Sequence, residues 1–211
     1  LGPARVLRPA LPVVESKHVG NPAAEWARLE EAIARARSET AGLRQQTASR
    51  LGEYHAAIFD AHLLFLDDPA LVEPVRQRVY SEDIDAATAW QGQVQALAAR
   101  YADTGNPVLQ ARAADIRDVG GRVLRLLCGE PTLGALVLDG PAIVIAPDLT
   151  PSQTATLDPE KTLALCTAGG GPTSHTAILA RRLGVPAIVA LGPSVLDIAD
   201  GTPLAVDGDR G

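Results

Sequence analysis

An α/β domain interrupted by an inserted all-α helical bundle is the fold class this sequence predicts. Three observations predict it. Residues 3–14 (PARVLRPALPVV) are short, apolar and broken by Pro9 and Pro12, and read as extended strand. Residues 22–128 carry apolar residues at helical spacing throughout. Residues 135–206 alternate short β-branched runs with turn residues and short helical segments, as an α/β layer does. The expected organisation is therefore residues 1–20 and 130–211 as two parts of one α/β domain, with residues 21–129 inserted between them.

Each element has its own signal. Trp26, Leu29, Ile33, Ala36, Thr40 and Leu43 recur at spacings of 3, 4, 3, 4 and 3, one face of a long helix. A second helix runs through Ile58, Ala61, His62 and Phe65 and stops at Asp67-Asp68-Pro69. That triplet opens a third helix with Leu71, Val72, Val75 and Val79, an Asp cap followed by Pro at the first helical position. Asp83 is expected to cap a fourth, with Ile84, Ala87, Val94, Leu97 and Tyr101. Asn106-Pro107 opens a fifth, with Leu109, Ala113, Ile116, Val123 and Leu127 inward and Gly129 as its stop. Then follow a strand (residues 142–146), a short helix after Thr150-Pro151-Ser152, a strand (162–167), a glycine loop, a helix (174–183) closed by Gly184, and a strand (187–190).

Composition narrows the function classes. The 211 residues carry a net charge of −6, so they lack the basic surface that non-specific nucleic-acid binding requires. An acidic surface suits a basic protein partner. Cys128 and Cys166 are 38 residues apart and form neither a disulfide framework nor a zinc spacing, which points to a reducing cytoplasm. No signal peptide opens the chain. Residues 162–180 contain no charge, but Gly169-Gly170-Gly171-Pro172 and the following hydroxyl residues break any continuous apolar helix, so no membrane span is expected. There is no Met, not even at position 1, so the chain is expected to be a piece of a longer product.

The chemistry concentrates at the glycine loop. Three glycines after a strand leave the backbone open to a bulky group, Thr173 or Ser174 can cap the next helix, and His175 falls in its first turn. Free N–H groups and the positive helix end converge there. That environment disfavours imidazolium, so the ring is expected to be neutral and nucleophilic. The same N–H groups could meet the charge of a phosphoryl group carried on it. The alternative is a helix-start histidine with no role. The segment is not a Walker P-loop, having no G-x-x-x-x-G-K-[ST], and not a nucleophile elbow, having no G-x-S-x-G. Ser174 and His175 are adjacent, so their side chains diverge and cannot work as a nucleophile–base pair.

On the second helix His55, Ile58, His62 and Phe65 make a stripe at spacings of 3, 4 and 3, with Glu53, Asp60, Asp67, Asp68 and Glu73 around it. It reads either as a core stripe with satisfied histidines or as an apolar docking centre rimmed by acids for a basic partner. His55 and His62 stand roughly 10 Å apart along a helix, too far to share a metal ion.

GGPTSHTAILAR (residues 170–181) resembles the phosphohistidine signature of the phosphoenolpyruvate-utilising family, G-G-x-T-S-H-x-A-I-x-A-R, at every fixed position. FDAHLLFLDDPAL (59–71) and QARAADIRDVGGRVLRLL (110–127) resemble the helical insertion of the family's Enzyme I branch, which opens the bacterial phosphoenolpyruvate:sugar phosphotransferase system, and APDLTPSQTA (146–155) resembles the strand and turn facing the active histidine. The resemblance implies a swivelling phosphohistidine domain. It implies that His175 takes a phosphoryl group from phosphoenolpyruvate on its ring nitrogen remote from the backbone and passes it to a histidine of the small carrier HPr. Gly170, Gly171, Thr173 and Ser174 would form the phosphate loop, and the Thr154 hydroxyl would contact the imidazole. His62, Leu64, Phe65, Leu71 and Arg112 fall at HPr-docking positions, joined by Glu53, Asp67 and Asp68 from the acidic rim. His55 stands where the family often has a basic residue and Tyr54 where it often has an acid. The family continues into a barrel that binds phosphoenolpyruvate and Mg²⁺ and dimerises. This chain is thus expected to be the N-terminal half, monomeric, with no metal site of its own. The alternatives are the Enzyme I-like part of a fused multiphosphoryl carrier, the central domain of a dikinase or phosphoenolpyruvate synthase, which lacks the FDAHLLFLDDP segment, and an interaction module whose histidine is never phosphorylated.

Overall fold

The computed structural model describes residues 1–8, 11–132, 138–171 and 174–208. The chain divides into two compact units: Leu1–Ala10 with Leu133–Gly211, and Leu11–Thr132.

The first unit is a sheet with helices. β1 (Gly2–Val6), β2 (Ala142–Ala146), β3 (Thr162–Thr167), β4 (Ala187–Ile188) and β5 (Pro203–Leu204) lie in the order β4-β3-β2-β1-β5. The first four are mutually parallel, and β5 runs antiparallel to β1. β2 reads AIVIA and is buried on both faces, the continuous apolar run of a covered parallel strand. Because side chains alternate, it feeds two cores. Ala142, Val144 and Ala146 pack with Leu149, Leu157, Leu165, Ala180 and Val185. Ile143 and Ile145 pack with Ala4, Val6, Ala164 and Cys166, with Val195, Leu196 and Ile198 of a 3₁₀ turn (Pro193–Asp197) and the residue after it alongside. α6 (Pro151–Ala155) follows β2, and α7 (His175–Leu183) follows β3. Both begin at the carboxyl ends of parallel strands, where α/β sheets present their ligand sites.

The second unit is a bundle of α1 (Pro22–Leu51), α2 (Glu53–Leu66), α3 (Pro69–Ser81), α4 (Ala86–Ala102) and α5 (Pro107–Leu127). Its core is mainly aliphatic, with Phe59 and Trp90 buried in it, and the Trp90 indole N–H donates to the Gly120 carbonyl at 2.9 Å. A Cβ at Gly120 would lie 2.4 Å from a Val94 methyl, so α4 and α5 meet backbone to side chain there. Gly129, at φ +70°, ends α5, and Glu130 N–H reaches back to the Arg125 carbonyl at 2.9 Å.

Three boundaries differ from expectation. Residues 11–20 belong to the bundle and not to the α/β part, because Lys17 N–H donates to the Asp85 carboxylate, the Lys17 carbonyl accepts from Asp85 N–H, and His18 bridges Ile84. Asp85, not Asp83, caps α4. Its carboxylate accepts from Thr88 N–H at 2.9 Å and Lys17 N–H at 3.0 Å, while Asp83 takes a left-handed φ of 52° in the preceding turn. Leu109 is 38 % exposed rather than inward.

Candidate functional site

The glycine loop is fastened to the neighbouring strand-end loop. Ala168 N–H donates to the Ala146 carbonyl (2.9 Å) and Gly169 N–H to the Pro147 carbonyl (2.8 Å). The Gly169 carbonyl accepts from the Thr167 hydroxyl (2.8 Å) and Ala190 N–H (3.0 Å). Gly170 has φ +81°, a conformation that disfavours any side chain, and a Cβ there would press to 3.3 Å on the Ser174 hydroxyl. Among the described residues nothing lies within 4 Å of a Cβ at Gly171. Thr173 lies outside the described residues.

Ser174 is the N-cap of α7, its hydroxyl accepting from Ala177 N–H at 3.3 Å. His175 is therefore the first helical residue, half-buried, at the end where unpaired N–H groups and the positive dipole converge. Gly184, in the left-handed region, closes the helix with Val185 N–H on the Ala180 carbonyl at 2.9 Å.

Thr154 is 1 % exposed, in α6, which packs against α7. Its hydroxyl donates to the Thr150 and Pro151 carbonyls, each at 3.0 Å. Its one proton is thus occupied, and toward a third group it is an acceptor. α6 is short but held by a reciprocal cap: Thr150 Oγ1 accepts from Gln153 N–H, and Gln153 Oε1 from Thr150 N–H.

Asp148 was not singled out in the sequence, although it lies within the matched APDLTPSQTA segment. Its Oδ1 accepts from Leu149 N–H (2.8 Å) and from the Thr176 hydroxyl (3.1 Å), the residue after His175. An acid two residues beyond a buried parallel strand and just before a Thr-Pro cap is the signal that could have found it.

On the bundle, the expected docking set divides. His62 and Leu71 are each 1 % exposed and lie in the core, so neither is surface for a partner. The His62 ring meets Phe59 edge to face at 5.5 Å, and its Nε2 is 3.7 Å from Asp115 Oδ1 with no hydrogen-bond partner. α2 buries Ala56, Phe59, His62 and Leu66. The expected stripe, His55-Ile58-His62-Phe65, runs along the edge of that face, with His55, Ile58 and Phe65 half-buried. Solvent meets Tyr54 (87 % exposed), Ala57, half-buried Ala61 and Leu64 (72 % exposed), a stripe one residue over and so about 100° around the helix. The acidic rim is partly neutralised from α1. Arg44 pairs with Glu53 (2.8 Å) and Asp60 (3.1 Å), which hold its guanidinium above its ordinary pKa, and Arg37 pairs with Asp67. Asp68 caps α3, accepting from Ala70 N–H at 2.8 Å. Arg112 pairs with Asp115 at 3.0 Å. Among the described residues no group of three or more His, Cys, Asp or Glu side chains is placed to share a metal ion, and no helix is long and apolar enough to cross a membrane.

His175 thus stands half-buried at the start of a helix after a left-handed glycine, at the carboxyl edge of a parallel sheet that a helical bundle interrupts in sequence. The chain belongs to the phosphoenolpyruvate-utilising enzymes: the family's N-terminal model matches residues 1–112 and its mobile-domain model residues 138–211. It is 46 % identical over 186 residues to a multiphosphoryl transfer protein of Xanthomonas campestris pv. campestris, covering 87 % of this chain and 22 % of that one. It is 39 % identical to the phosphoenolpyruvate-protein phosphotransferase of Geobacillus stearothermophilus, covering 92 % of this chain and 34 % of that one. A solution structure of an Enzyme I (nEIt) protein superposes with TM-score 0.73 at 32 % identity, covering 95 % and 82 % of the two chains. The N-terminal domain of a nitrogen Enzyme I does so with TM-score 0.66 at 26 % identity, covering 99 % and 85 %. The chain thus spans between a fifth and about a third of the two curated relatives' length.

Proposed function

We propose that His175 accepts a phosphoryl group and exchanges it with a histidine on a small basic carrier of the HPr kind, within an enzyme that draws the group from phosphoenolpyruvate. The observation that carries this is the placement of His175 as the first residue of α7, capped by Ser174 and preceded by the left-handed Gly170. An unprotonated imidazole nitrogen attacks phosphorus as the donor's P–N bond breaks, so one bond replaces another of the same kind. Such a step needs alignment and charge stabilisation more than covalent help. Thr154, an acceptor toward the ring, would take the N–H of Nδ1 and leave Nε2 to attack. Mg²⁺ would belong, by the resemblance, to the barrel of the whole enzyme. The carrier would dock on the α2 face of Tyr54, Ala57, Ala61 and Leu64, flanked by Phe65, Glu53, Asp67, Asp68 and Arg112. Likeness to a multiphosphoryl transfer protein favours a second reading of the same chemistry, in which carrier modules are fused to the chain; sequencing the whole gene product decides between them.

The test is labelling by a phosphorylated carrier. Label on the wild type is expected to be lost in mild acid, where protonation makes the ring nitrogen a leaving group, to survive alkali, and to be absent from His175→Ala. Label that persists in His175→Ala, or that survives acid as a phosphoserine does, would overturn the assignment.

A further inference from the structure

We infer that Asp148 is a positioning residue for the reaction at His175, an inference that rests on the phosphohistidine reading above. One oxygen of this carboxylate bonds the residue after the histidine and lies near the glycine loop before it. A Cβ added at Gly170 would come to 3.5 Å of Asp148 Oδ1. After the histidine comes Thr176, whose hydroxyl donates to the same oxygen at 3.1 Å. The bond to Leu149 N–H, at 2.8 Å, is local and fixes the carboxylate in its own loop. The bond to Thr176 spans 28 positions and joins the loop after β2 to the first turn of α7.

Thr176 is buried, and its single proton has two acceptors in reach, Asp148 at 3.1 Å and the Leu149 carbonyl at 3.3 Å. The carboxylate is the nearer and forms the charge-assisted bond, the stronger kind. A negative group beside a helix N-terminus is also favoured by the dipole. The Ser174 cap holds the first turn of α7 from within. Asp148 holds it from the neighbouring loop, and with it the direction in which His175 leaves the backbone. Reaction between two imidazoles depends on that direction, since a misplacement of about 1 Å costs on the order of a hundredfold in rate.

The test compares Asp148→Ala, Asp148→Asn, Thr176→Val and the double variant Asp148→Ala/Thr176→Val in the 211-residue chain, with phosphorylated carrier as donor. Asp148→Ala is expected to lower kcat about tenfold, the effect of one charge-assisted hydrogen bond, with KM unchanged because the carrier docks on another element. Asp148→Asn keeps the accepting oxygen and is expected to restore most of the rate. Thr176→Val, which also loses the bond to the Leu149 carbonyl, should be at least as slow as Asp148→Ala, and the double variant should be no slower than Thr176→Val. Backbone hydrogen exchange of the first turn of α7 should quicken in Asp148→Ala and not in Asp148→Asn, a readout that needs no phosphate. Unchanged kcat and exchange in Asp148→Ala, an Asn variant as slow as Ala, or additive losses in the double variant would each overturn the positioning role. A wild type that takes no label overturns the phosphohistidine reading instead, and the exchange comparison still decides whether Asp148 holds the turn.

Discussion

His62 and Leu64 stand two positions apart on α2 and have opposite surroundings. His62 is 1 % exposed against Phe59, and Leu64 is 72 % exposed. Removing the His62 ring leaves a hole in a packed core, so His62→Ala is expected to cost about 2–4 kcal/mol and lower Tm markedly. Leu64→Asp changes a surface residue and is expected to stay within about 0.5 kcal/mol of wild type in thermal melts. Carrier affinity should respond in the reverse order: a fall of at least tenfold for Leu64→Asp, and little change for any folded His62 variant. Calorimetric titration beside each melt checks this, and equal affinity loss from both would remove the distinction between core and face. At this scale the sequence was most legible where a residue type has a single use. The glycine loop and the first-turn place of His175 follow from the chain alone, while the cap stays open between Thr173 and Ser174 until the structure assigns it to Ser174. His62 did not, because a histidine at helical spacing satisfies a core stripe and a docking stripe equally, and only the packing of Phe59 and Asp115 around it decides. Asp148 was missed for another reason: its partner Thr176 is 28 positions away, and no local pattern announces that contact.

Helices and caps were readable to within a few residues, since apolar period and Asp-Pro or Gly punctuation are local properties. Faces were less so. One residue of helical rotation is about 100°, so a stripe chosen from hydrophobicity alone moved from the solvent side of α2 to the margin of its buried side. The cap of α4 shows the same limit. Asp83 and Asp85 are equally good caps by type, and the chain selects Asp85 because Lys17 reaches it from the segment before α1. Burial alone would raise the Asp85 carboxyl, yet hydrogen bonds from Lys17 N–H, Thr88 N–H and the Thr88 hydroxyl together hold its pKa below the ordinary value. A lowered carboxylate pKa stabilises the fold above the unfolded-state value and loses that contribution as pH falls through the folded one. Asp85→Ala is therefore expected to cost about 1–2 kcal/mol at neutral pH, with the gap to wild type closing as the pH falls below the ordinary carboxylate range. Urea melts at several pH values read this out, and a gap that persists at the lowest pH would show that the loss is one of packing. On α2 and α3, reversing Asp67 and Asp68 to Lys is expected to weaken carrier binding and flatten its salt dependence. The Asp67 change releases Arg37 as well, so binding at low salt should fall more for Asp67 than for Asp68, which first loses the α3 cap.

For the molecule as a whole, the proposed function divides the work of transfer between the two units, and among the described residues no group of three or more His, Cys, Asp or Glu is placed to hold a metal ion. The α/β unit carries His175, and the bundle carries the α2 face. Phosphoenolpyruvate is a small anion with a carboxylate and a phosphate. To react it must be held, and the charge that develops on its enolate neutralised, by clustered cations or a metal. Around His175 lie an acid, Asp148, and the hydroxyls of Ser174 and Thr176, in a chain of net charge −6. A phosphorylated carrier brings different conditions. Its own surface would bind the α2 face, its phosphoryl group is already activated on a ring nitrogen, and the exchange is nearly balanced. The 211-residue chain is therefore expected to take label from phosphorylated carrier, reversibly and without added metal, so that excess unlabelled carrier removes the label again. With labelled phosphoenolpyruvate and Mg²⁺ it should take none, and adding the remainder of the enzyme as a separate chain should restore labelling. Labelling of the isolated chain by phosphoenolpyruvate alone would refute this division, and the failure of a cognate phosphorylated carrier to label it would refute the carrier assignment.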